Sequence, residues 1–544
     1  MRLNTCKLFS ISRLLPAMVV AVTLLLATAA HAAAPGITGA AFDLVAKPNY
    51  ISQPDGQMIY SWGYGCNTVP AGFNPPASAM PGANCPDMQV PGPTLVVTQG
   101  VQFTVTLANA LPVAAGNTSI LFPGLRLISA TGGAAGLLTQ EAVSPTTLVP
   151  GNPVVYTLVA DTPGTRSYYS GTQGDLQVEM GLYGAVIALP SAPPATACPP
   201  PNFHAEAATE TDFRLSPTGA AYGIADSCYD REYLFQFSEI DPKIHQQAID
   251  QVASIAACTT AAATGVTCAT TLDVATEPYH PTYFMINGRS MPDDMDTNYA
   301  AQYPHQPYNG NPHMHPGERV LLRVVGTGRW QHPFHEHGNH VRILARDGNL
   351  IMSATDPTKL AGPLLFTTTT TPGLAMDGIF YWSGRGLNWD VYGHHAADAN
   401  NAAVDPGCTP DSNGYYTAAS GAALTAPNYY EWCADHNKAL EAAPFGNVGT
   451  GGPVTLPDAN ILVNGSWYGG SAYLGPDATI RATGPNGTTP PSGTVANSPS
   501  GEAGFAFMWH SHNEREITTS NVFPGGMLMM MLVDPRFFVI DESN

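Results

Sequence analysis

The chain has 544 residues, which is more than one hydrophobic core usually serves, so we expect two domains or three. Only 11% of the residues are charged, and the 54 glycines and 49 prolines favour short strands joined by turns over long surface helices. The formal net charge of −20 would repel phosphate backbones, which argues against nucleic acid as a partner.

The first 32 residues are predicted to be an export signal. Three cations, Arg2, Lys7 and Arg13, precede the apolar run 14–30, and Ala30-His31-Ala32 is a small-x-small cleavage site. No later stretch is apolar for the roughly 18 residues that a membrane helix needs. We therefore expect a soluble mature protein without a membrane span, either secreted or periplasmic.

Short β-strands are predicted along the rest of the chain. Residues 93–112 contain two β-rich runs separated by Gln99-Gly100, and we interpret them as a strand pair. Short strands at regular spacing with turn residues between them predict β-sandwiches. The further runs with this pattern are Val154–Val159, Gly184–Leu189, Tyr233–Phe237, Arg319–Val325, Val341–Ala345, Gly378–Trp382, Phe505–Trp509 and Met527–Val533.

A proline-rich segment, Pro190–Pro201, separates two strand-rich halves and is the predicted domain boundary. We place the first domain at residues 33–190, a linker at 191–228 and the second domain at 229–544.

The second domain contains three atypical stretches. Ile244–Thr271 is the best candidate for a short helix, and the threonine run Thr367–Thr371 is predicted to be an edge strand. Residues 384–500 are too many for a structureless loop, so we predict a folded insertion there.

Eight cysteines follow Cys6 of the signal, and they form four neighbouring couples. An even number of cysteines behind an export signal favours structural disulfides in an oxidising compartment, although eight cysteines allow many other pairings. The predicted couples are Cys66 with Cys85, Cys198 with Cys228, Cys258 with Cys268, and Cys408 with Cys433.

Two histidine clusters stand out in the second half, His332-Pro-Phe-His335-Glu-His337 and His510-Ser511-His512. Because residues two apart on a strand point to the same face, His335 with His337 and His510 with His512 each form a pair of imidazole donors. Such pairs suit copper or zinc, although a single pair of this kind is as often structural. Two pairs at the ends of apolar strands predict a metal site.

These clusters resemble the third and fourth copper motifs of the multicopper oxidases, His-Pro-x-His-x-His-Gly and His-Cys-His followed by Gly-Met. The segments Pro91–Leu107 and Gly181–Ile187 are similar to the opening strands and the closing strand of that family's first domain. The likeness spans about residues 90–535 apart from the insertion, and its motif spacing is typical of two-domain members. It implies two cupredoxin-like Greek-key β-sandwich domains, with a large insertion in the second.

The resemblance also implies a role for each histidine. His332 corresponds to a ligand of the mononuclear electron-accepting copper, and His335 corresponds to a ligand of the type 2 copper. The ligands of the coupled copper pair would be His337, His510 and His512.

The chain departs from the family pattern at four positions. The first two His-x-His motifs of the family are replaced by Ser119-Ile-Leu121 and Tyr168-Tyr169-Ser170. The cysteine of the fourth motif is Ser511, and the histidine that follows it is Glu516. A blue copper site needs a thiolate with two imidazoles, so we expect no such site and no laccase-type reduction of dioxygen.

What remains is a smaller site made of four imidazoles: His335, His337, His510 and His512. Copper is the favoured metal, with zinc as the second choice. His332 with Glu516 could form a second weak site, but a surface or structural role is the plainer interpretation. Tyr169 either faces the metal or packs in the core, and His313-Met314-His315 is interpreted as an exposed turn next to proline.

The leading functional hypothesis is an exported copper-dependent oxidoreductase that oxidises a small molecule or a metal ion. The first alternative is a copper-binding protein without turnover, and the second is an extracellular scaffold with a vestigial site. Homotrimers occur among two-domain relatives, so the resemblance also implies self-association.

Overall fold

A computed structural model describes residues 34–541 of the chain, with gaps. The gaps are residues 71, 77–79, 81, 146–150, 197, 199–209, 211, 216–218, 262–264, 386–408, 423–428, 435–469, 474–503 and 535–538. The predicted export signal and most of the predicted insertion therefore lie outside the described residues.

The first half of the described chain forms two five-stranded sheets. Its elements are β1 (Gly36–Thr38), β2 (Ala41–Ser52), β3 (Met58–Cys66), β4 (Phe73–Asn74), β5 (Leu95–Thr98), β6 (Gln102–Asn109), β7 (Arg126–Gly132), β8 (Ala134–Ala135), β9 (Gln140–Glu141), β10 (Val154–Val159), β11 (Gly164–Tyr169), α1 (Gly174–Gln177) and β12 (Tyr183–Leu189). One sheet has the strand order β11-β12-β5-β1-β4, and the other has the order β3-β2-β6-β10-β7. Strands β8 and β9 form a separate pair.

Apolar residues at alternate positions pack these two sheets against each other. Val105 and Tyr156 of one sheet belong to the same buried cluster as Leu95, Tyr168 and Val186 of the other. Because side chains two residues apart share a face of a strand, each sheet presents one apolar face to this common core. The first half is therefore a β-sandwich.

The second half forms two larger sheets. Its elements are β13 (Arg231–Ile240), α2 (Pro242–Ala261), β14 (Tyr283–Ile286), β15 (His313–Met314), β16 (Arg319–Gly326), β17 (His332–Glu336), β18 (Val341–Arg346), β19 (Asn349–Leu350), β20 (Leu364–Leu365), β21 (Thr367–Thr370), β22 (Ala375–Tyr381), β23 (Gly470–Tyr473), β24 (Gly504–Ser511) and β25 (Leu528–Val533). One sheet has the order β14-β13-β16-β22-β18-β19, with β20 paired to β18. The other has the order β15-β25-β24-β17-β21, with β23 paired to β24.

Aromatic and methionine side chains fill the space between these two sheets. Phe235 and Phe380 of the first sheet contact Trp509 of the second, and Phe334 packs on the same indole ring. Met527 is fully buried in this cluster and acts as core filler. The core fixes strands β17 and β24, which are antiparallel neighbours and carry the two histidine clusters.

The structure confirms the predicted all-β fold of cupredoxin-like sandwiches. Strand β21 lies at the edge of its sheet, as expected for the threonine run. Helix α2 begins at Pro242, close to the predicted start, but ends at Ala261, ten residues before the predicted end.

The predicted strand pair at residues 93–112 is wrong. Both strands exist, but β5 and β6 belong to opposite sheets and do not bond to each other. Gly100, between them, has a φ of 74°, a left-handed conformation that glycine adopts without steric cost. The chain turns there and crosses from one sheet of the sandwich to the other.

One contact between the two halves joins the outer faces of one sheet from each half. Val96 and Ile187 of the first half form a buried cluster with Leu234 and Val325 of the second. No sheet in the described part of the chain contains strands from both halves. The exact domain boundaries stay a prediction.

Three of the four predicted disulfides are present: Cys66–Cys85, Cys198–Cys228 and Cys258–Cys268. The fourth predicted couple includes Cys408, which lies outside the described residues. Among the described helices, none has the length and apolar character that crossing a membrane would require.

Candidate metal centre

Three imidazole rings converge where β17 and β24 pair. The strand register places His335 directly opposite His510. His337 follows the end of β17, and its Nε2 atom is 3.3 Å from Nε2 of His510. Ring nitrogens of the three residues all lie within 4.8 Å of one another. Three nitrogen donors at this spacing can hold one ion of the size of copper or zinc.

His512 lies at the open side of this cluster. Its ring centroid is 4.8 Å from that of His335 and 5.6 Å from that of His510. Its side chain is 53% exposed, and Nδ1 is 3.6 Å from a carboxylate oxygen of the exposed Glu514. The structure therefore brings together all four predicted imidazoles, with three of them inside and one at the solvent boundary.

Hydrogen bonds orient two of the inner rings. Nδ1 of His510 is 2.6 Å from the carbonyl oxygen of Ser511, which can only accept a hydrogen bond. Nδ1 therefore carries the proton, and Nε2 has a lone pair that can bind a metal. Nδ1 of His335 is 2.7 Å from the hydroxyl of Thr367 on the neighbouring strand. Such contacts behind a ligand fix its tautomer and its direction.

The local electrostatics keep these rings neutral. Burial, and then the neighbouring His337, His510 and His512, lower the pKa of His335 to about 4. Burial also lowers the pKa of His510. Neutral imidazole is the form that binds metal, so His335 and His510 are ready to ligate at neutral pH.

The remaining predicted ligand, His332, does not join this site. It is fully buried between two carboxylates, with Nε2 2.9 Å from Glu239 and Nδ1 2.8 Å from Glu516. Ser511 donates its hydroxyl proton to the same oxygen of Glu516. We call these four residues the His332 cluster.

The two carboxylates around His332 favour a protonated ring. Burial disfavours the charged imidazolium, but the hydrogen bonds to Glu239 and Glu516 outweigh it and raise the pKa of His332 to about 9. Both ring nitrogens of His332 thus have hydrogen-bond partners. The hydroxyl of Ser511 and the carboxylate of Glu516 occupy the positions at which the family has a thiolate and an imidazole. These residues do not fit an electron-accepting copper, and the structural interpretation of His332 is the better one.

We expect that restoring the thiolate alone will not restore a blue copper site. In Ser511→Cys the ring of His332 would still be held by Glu239 and Glu516, so the thiolate would lack its two imidazole partners. Visible absorption after copper loading should show no intense thiolate-to-copper band. A strong blue colour in this variant would contradict this account of the His332 cluster.

The positions of the two missing family motifs lie next to each other in the first half. Leu121 and Tyr169 form an isolated backbone bridge, and both side chains line an open apolar cavity of about 310 Å³. Tyr169 also packs beside the buried cluster that contains Val90 and Tyr183, which agrees with the core-packing alternative. Leu121 offers no atom that could ligate a metal.

The interpretation of His313-Met314-His315 as an exposed turn is wrong. Both histidines are buried on and after β15, which pairs with β25. His313 contacts the carboxylate of Asp534 at 2.8 Å, and His315 contacts Glu210 at 3.3 Å. Buried partners from distant parts of the chain make these residues structural.

Sequence reasoning also missed Glu239, a central member of the His332 cluster. This residue lies 93 positions before His332 and has no histidine or cysteine beside it. Glu239 is one of five polar or charged residues in the ten-residue strand β13, so the local sequence did not single it out.

Two segments of the chain match family models described as multicopper oxidase, one over residues 82–192 and the other over residues 275–373. The first segment contains the positions of the two missing motifs. The second contains His332, His335 and His337, whereas His510 and His512 lie outside both.

The solved structures to which this chain is similar share little sequence with it. A multicopper oxidase named mgLAC is 14% identical, with 91% of this chain and 86% of that chain covered and a TM-score of 0.42. A blue copper oxidase from Nitrosomonas europaea is also 14% identical, with 91% and 85% covered and a TM-score of 0.41. A copper nitrite reductase from the same organism is 18% identical, with 64% and 86% covered and a TM-score of 0.37. No curated protein matches the chain.

Proposed function

We propose that this chain is a divergent member of the multicopper oxidase superfamily and a copper-binding oxidoreductase with a reduced metal site, since two of its segments match multicopper oxidase models. The observation that supports the proposal best is the convergence of three ring nitrogens, from His335, His337 and His510, within 4.8 Å. His512 would complete the site or move aside from it, because it lies at the solvent boundary.

The donor set suits copper more than a hard cation. Imidazole nitrogens favour copper and zinc, and copper leads in the order of affinities for such ligands. Bound copper would supply one-electron redox chemistry. The chain's own residues would hold the metal from one side, with Thr367 and the Ser511 carbonyl orienting the rings, and would leave the side of His512 open to solvent.

The substrate in this proposal is a small molecule or a metal ion that approaches from the open side. We also propose that the protein acts in an extracellular or periplasmic compartment, since disulfides form and persist in such oxidising surroundings. Self-association belongs to the same proposal.

A copper-binding protein without turnover is the second candidate. The observation that favours it is the His332 cluster, which replaces the electron-accepting copper with hydrogen-bonded side chains. Oxygen uptake separates the two candidates. Copper-loaded protein that consumes oxygen with a phenol, Mn(II), Fe(II) or Cu(I) is an oxidase, whereas tight copper retention without uptake indicates sequestration or delivery.

The copper site itself is tested by metal content after copper loading and exhaustive dialysis. We expect the wild type to retain one copper per chain and His335→Ala to retain none, because that substitution removes one of the three converging rings, the one opposite His510 in the strand register. His340→Ala is the matched control, since His340 packs on Phe366 outside the three-ring cluster and should leave copper content unchanged. Equal retention in all three proteins, or in none, would reject the site.

A further inference from the structure

Two aromatic side chains lie between the protein surface and the His332 cluster. Trp330 is 38% exposed, and its ring meets Tyr279 edge to face at a centroid distance of 5.4 Å. Tyr279 is only 8% exposed, and the guanidinium carbon of Arg329 is 4.0 Å from the centre of its ring. The tryptophan therefore has one side in solvent and the other on a buried phenol.

The phenol of Tyr279 faces buried carboxylates. Its hydroxyl donates to Glu239 at 3.2 Å, and the second oxygen of Glu239 is the one that contacts His332. Glu179 also lies near, and burial together with these two carboxylates raises the pKa of Tyr279 well above its usual value. The phenol thus stays protonated at rest, with an acceptor for its proton already in place.

The contacts continue from Glu239 to the metal centre without a break. His332 bridges Glu239 to Glu516, and Ser511 donates to Glu516 through its side chain. The backbone carbonyl of the same Ser511 accepts from Nδ1 of His510 at 2.6 Å. Hydrogen bonds, linked at Ser511 by the covalent bonds between its hydroxyl and its carbonyl, therefore join Tyr279 to one of the three inner imidazoles. Hydrogen-bonded chains polarise their members.

We propose that Trp330 and Tyr279 carry single electrons between a donor at the surface and Cu(II) bound at His335, His337 and His510. The inference rests on the proposed copper site. The two aromatic side chains would take the place of the electron-accepting copper, which the residues of the His332 cluster do not fit.

The electron transfer needs only two reactants, a one-electron donor and Cu(II). A one-electron donor in contact with Trp330 loses one electron, and Cu(II) gains it to become Cu(I). When Tyr279 is the intermediate carrier, it loses an electron and passes its phenolic proton to Glu239. The proton returns when the next electron arrives from Trp330, so both aromatic residues end unchanged.

The geometry explains why these two residues suit the task. A buried tyrosine is hard to oxidise unless its proton has an acceptor, and Glu239 supplies one at hydrogen-bond distance. The backbone amides of Arg329 and Trp330 also donate to that carboxylate, at 2.6 and 2.7 Å, which fixes it beside the aromatic pair. The partly exposed indole of Trp330 gives a donor a place of contact at the protein surface.

The relay is tested first on metal-free protein, with photogenerated tris-bipyridyl ruthenium(III) as the oxidant and electron paramagnetic resonance as the readout. We expect a tyrosyl radical in the wild type and a lower radical yield in both Tyr279→Phe and Trp330→Leu, although other tyrosines of the chain contribute to the signal. Tyr229→Phe is the matched control, because Tyr229 also donates a buried phenol to a carboxylate, Glu232, and should leave the yield unchanged. A tyrosyl yield in Tyr279→Phe equal to that of the wild type would overturn the proposal.

The second arm uses protein loaded with Cu(I), since a path for electrons works in both directions. After the same flash, Cu(I) in the wild type should give one electron to the oxidised tyrosine, and the resonance signal of Cu(II) should appear. Tyr279→Phe should lack that signal. Failure of the protein to hold copper would reject the proposed function. The experiment on metal-free protein would still show whether Tyr279 is oxidised. Copper that is bound but oxidised equally in wild type and Tyr279→Phe would reject the relay alone.

Discussion

Replacing His332 with leucine is expected to lower the free energy of unfolding by about 3–5 kcal/mol, the usual cost of removing one partner from a buried charge cluster. His332 is fully buried, and it separates Glu239 from Glu516, which are themselves 2% and 1% exposed. Without the ring, two carboxylates would face each other in the core with no positive charge between them. Denaturant unfolding of the two proteins measures the difference.

Two further variants show whether charge or packing causes this loss. His340→Leu replaces a half-buried histidine outside the cluster and should cost far less. Adding Glu239→Gln and Glu516→Gln to His332→Leu should recover much of the stability, because the carboxylate charges are then gone. A triple variant as unstable as His332→Leu would assign the loss to packing instead.

The same cluster predicts how stability depends on pH. The pKa of His332 is raised to about 9 in the folded protein, above the value of roughly 6.5 that an unfolded histidine has. The stabilisation by its proton is therefore fully present below about pH 6.5 and is lost as the pH rises through about 9. We expect the difference in unfolding free energy between wild type and His332→Leu to shrink over that interval. A difference that stays constant across it would contradict a protonated His332.

Local sequence patterns predicted the features that depend on a few neighbouring residues. The alternation of apolar residues placed the strands, and β10 was predicted with its observed bounds, Val154–Val159. The same periodicity put the two members of each histidine pair on one face. The pairing of β17 with β24 then brought the two pairs together.

The features that sequence reasoning missed depend on residues far apart in the chain. Strands β5 and β6 lie in separate sheets because β5 pairs with β1 and β12, whereas β6 pairs with β2 and β10. The role of Glu239 follows from packing β13 beside the loop that carries Trp330. His313 and His315 are buried because β25 and Glu210 supply their partners. None of these contacts leaves a periodic signal in the sequence.

Replacing Arg231 with methionine is also expected to cost about 3–5 kcal/mol, because three buried carboxylates share this one guanidinium. Arg231 contacts Glu210 at 2.7 Å and Glu318 at 3.1 Å, and it also pairs with Asp212. Its side chain is fully buried, and those of the three acids are at most 5% exposed. Methionine would fill the volume, but Asp212 would keep only Arg214 as a partner, Glu210 would keep only His315, and Glu318 would lose its guanidinium.

The pH dependence and a matched control distinguish this effect from a general loss of packing. Although burial opposes it, the charge of Arg231 lowers the pKa of Glu210 and Glu318, so the stabilisation is present above roughly pH 4.5 and is lost as the pH falls through their folded values. In Arg231→Met the acids can protonate more readily, so the deficit should be largest near neutral pH and smaller in acid. Arg126→Met removes the exposed pair with Asp161, which is 2.8 Å long, and should cost far less than Arg231→Met at any pH, because solvent screens this pair. Equal losses in the two variants, or a deficit in Arg231→Met that does not change with pH, would show that the buried carboxylates do not depend on this guanidinium.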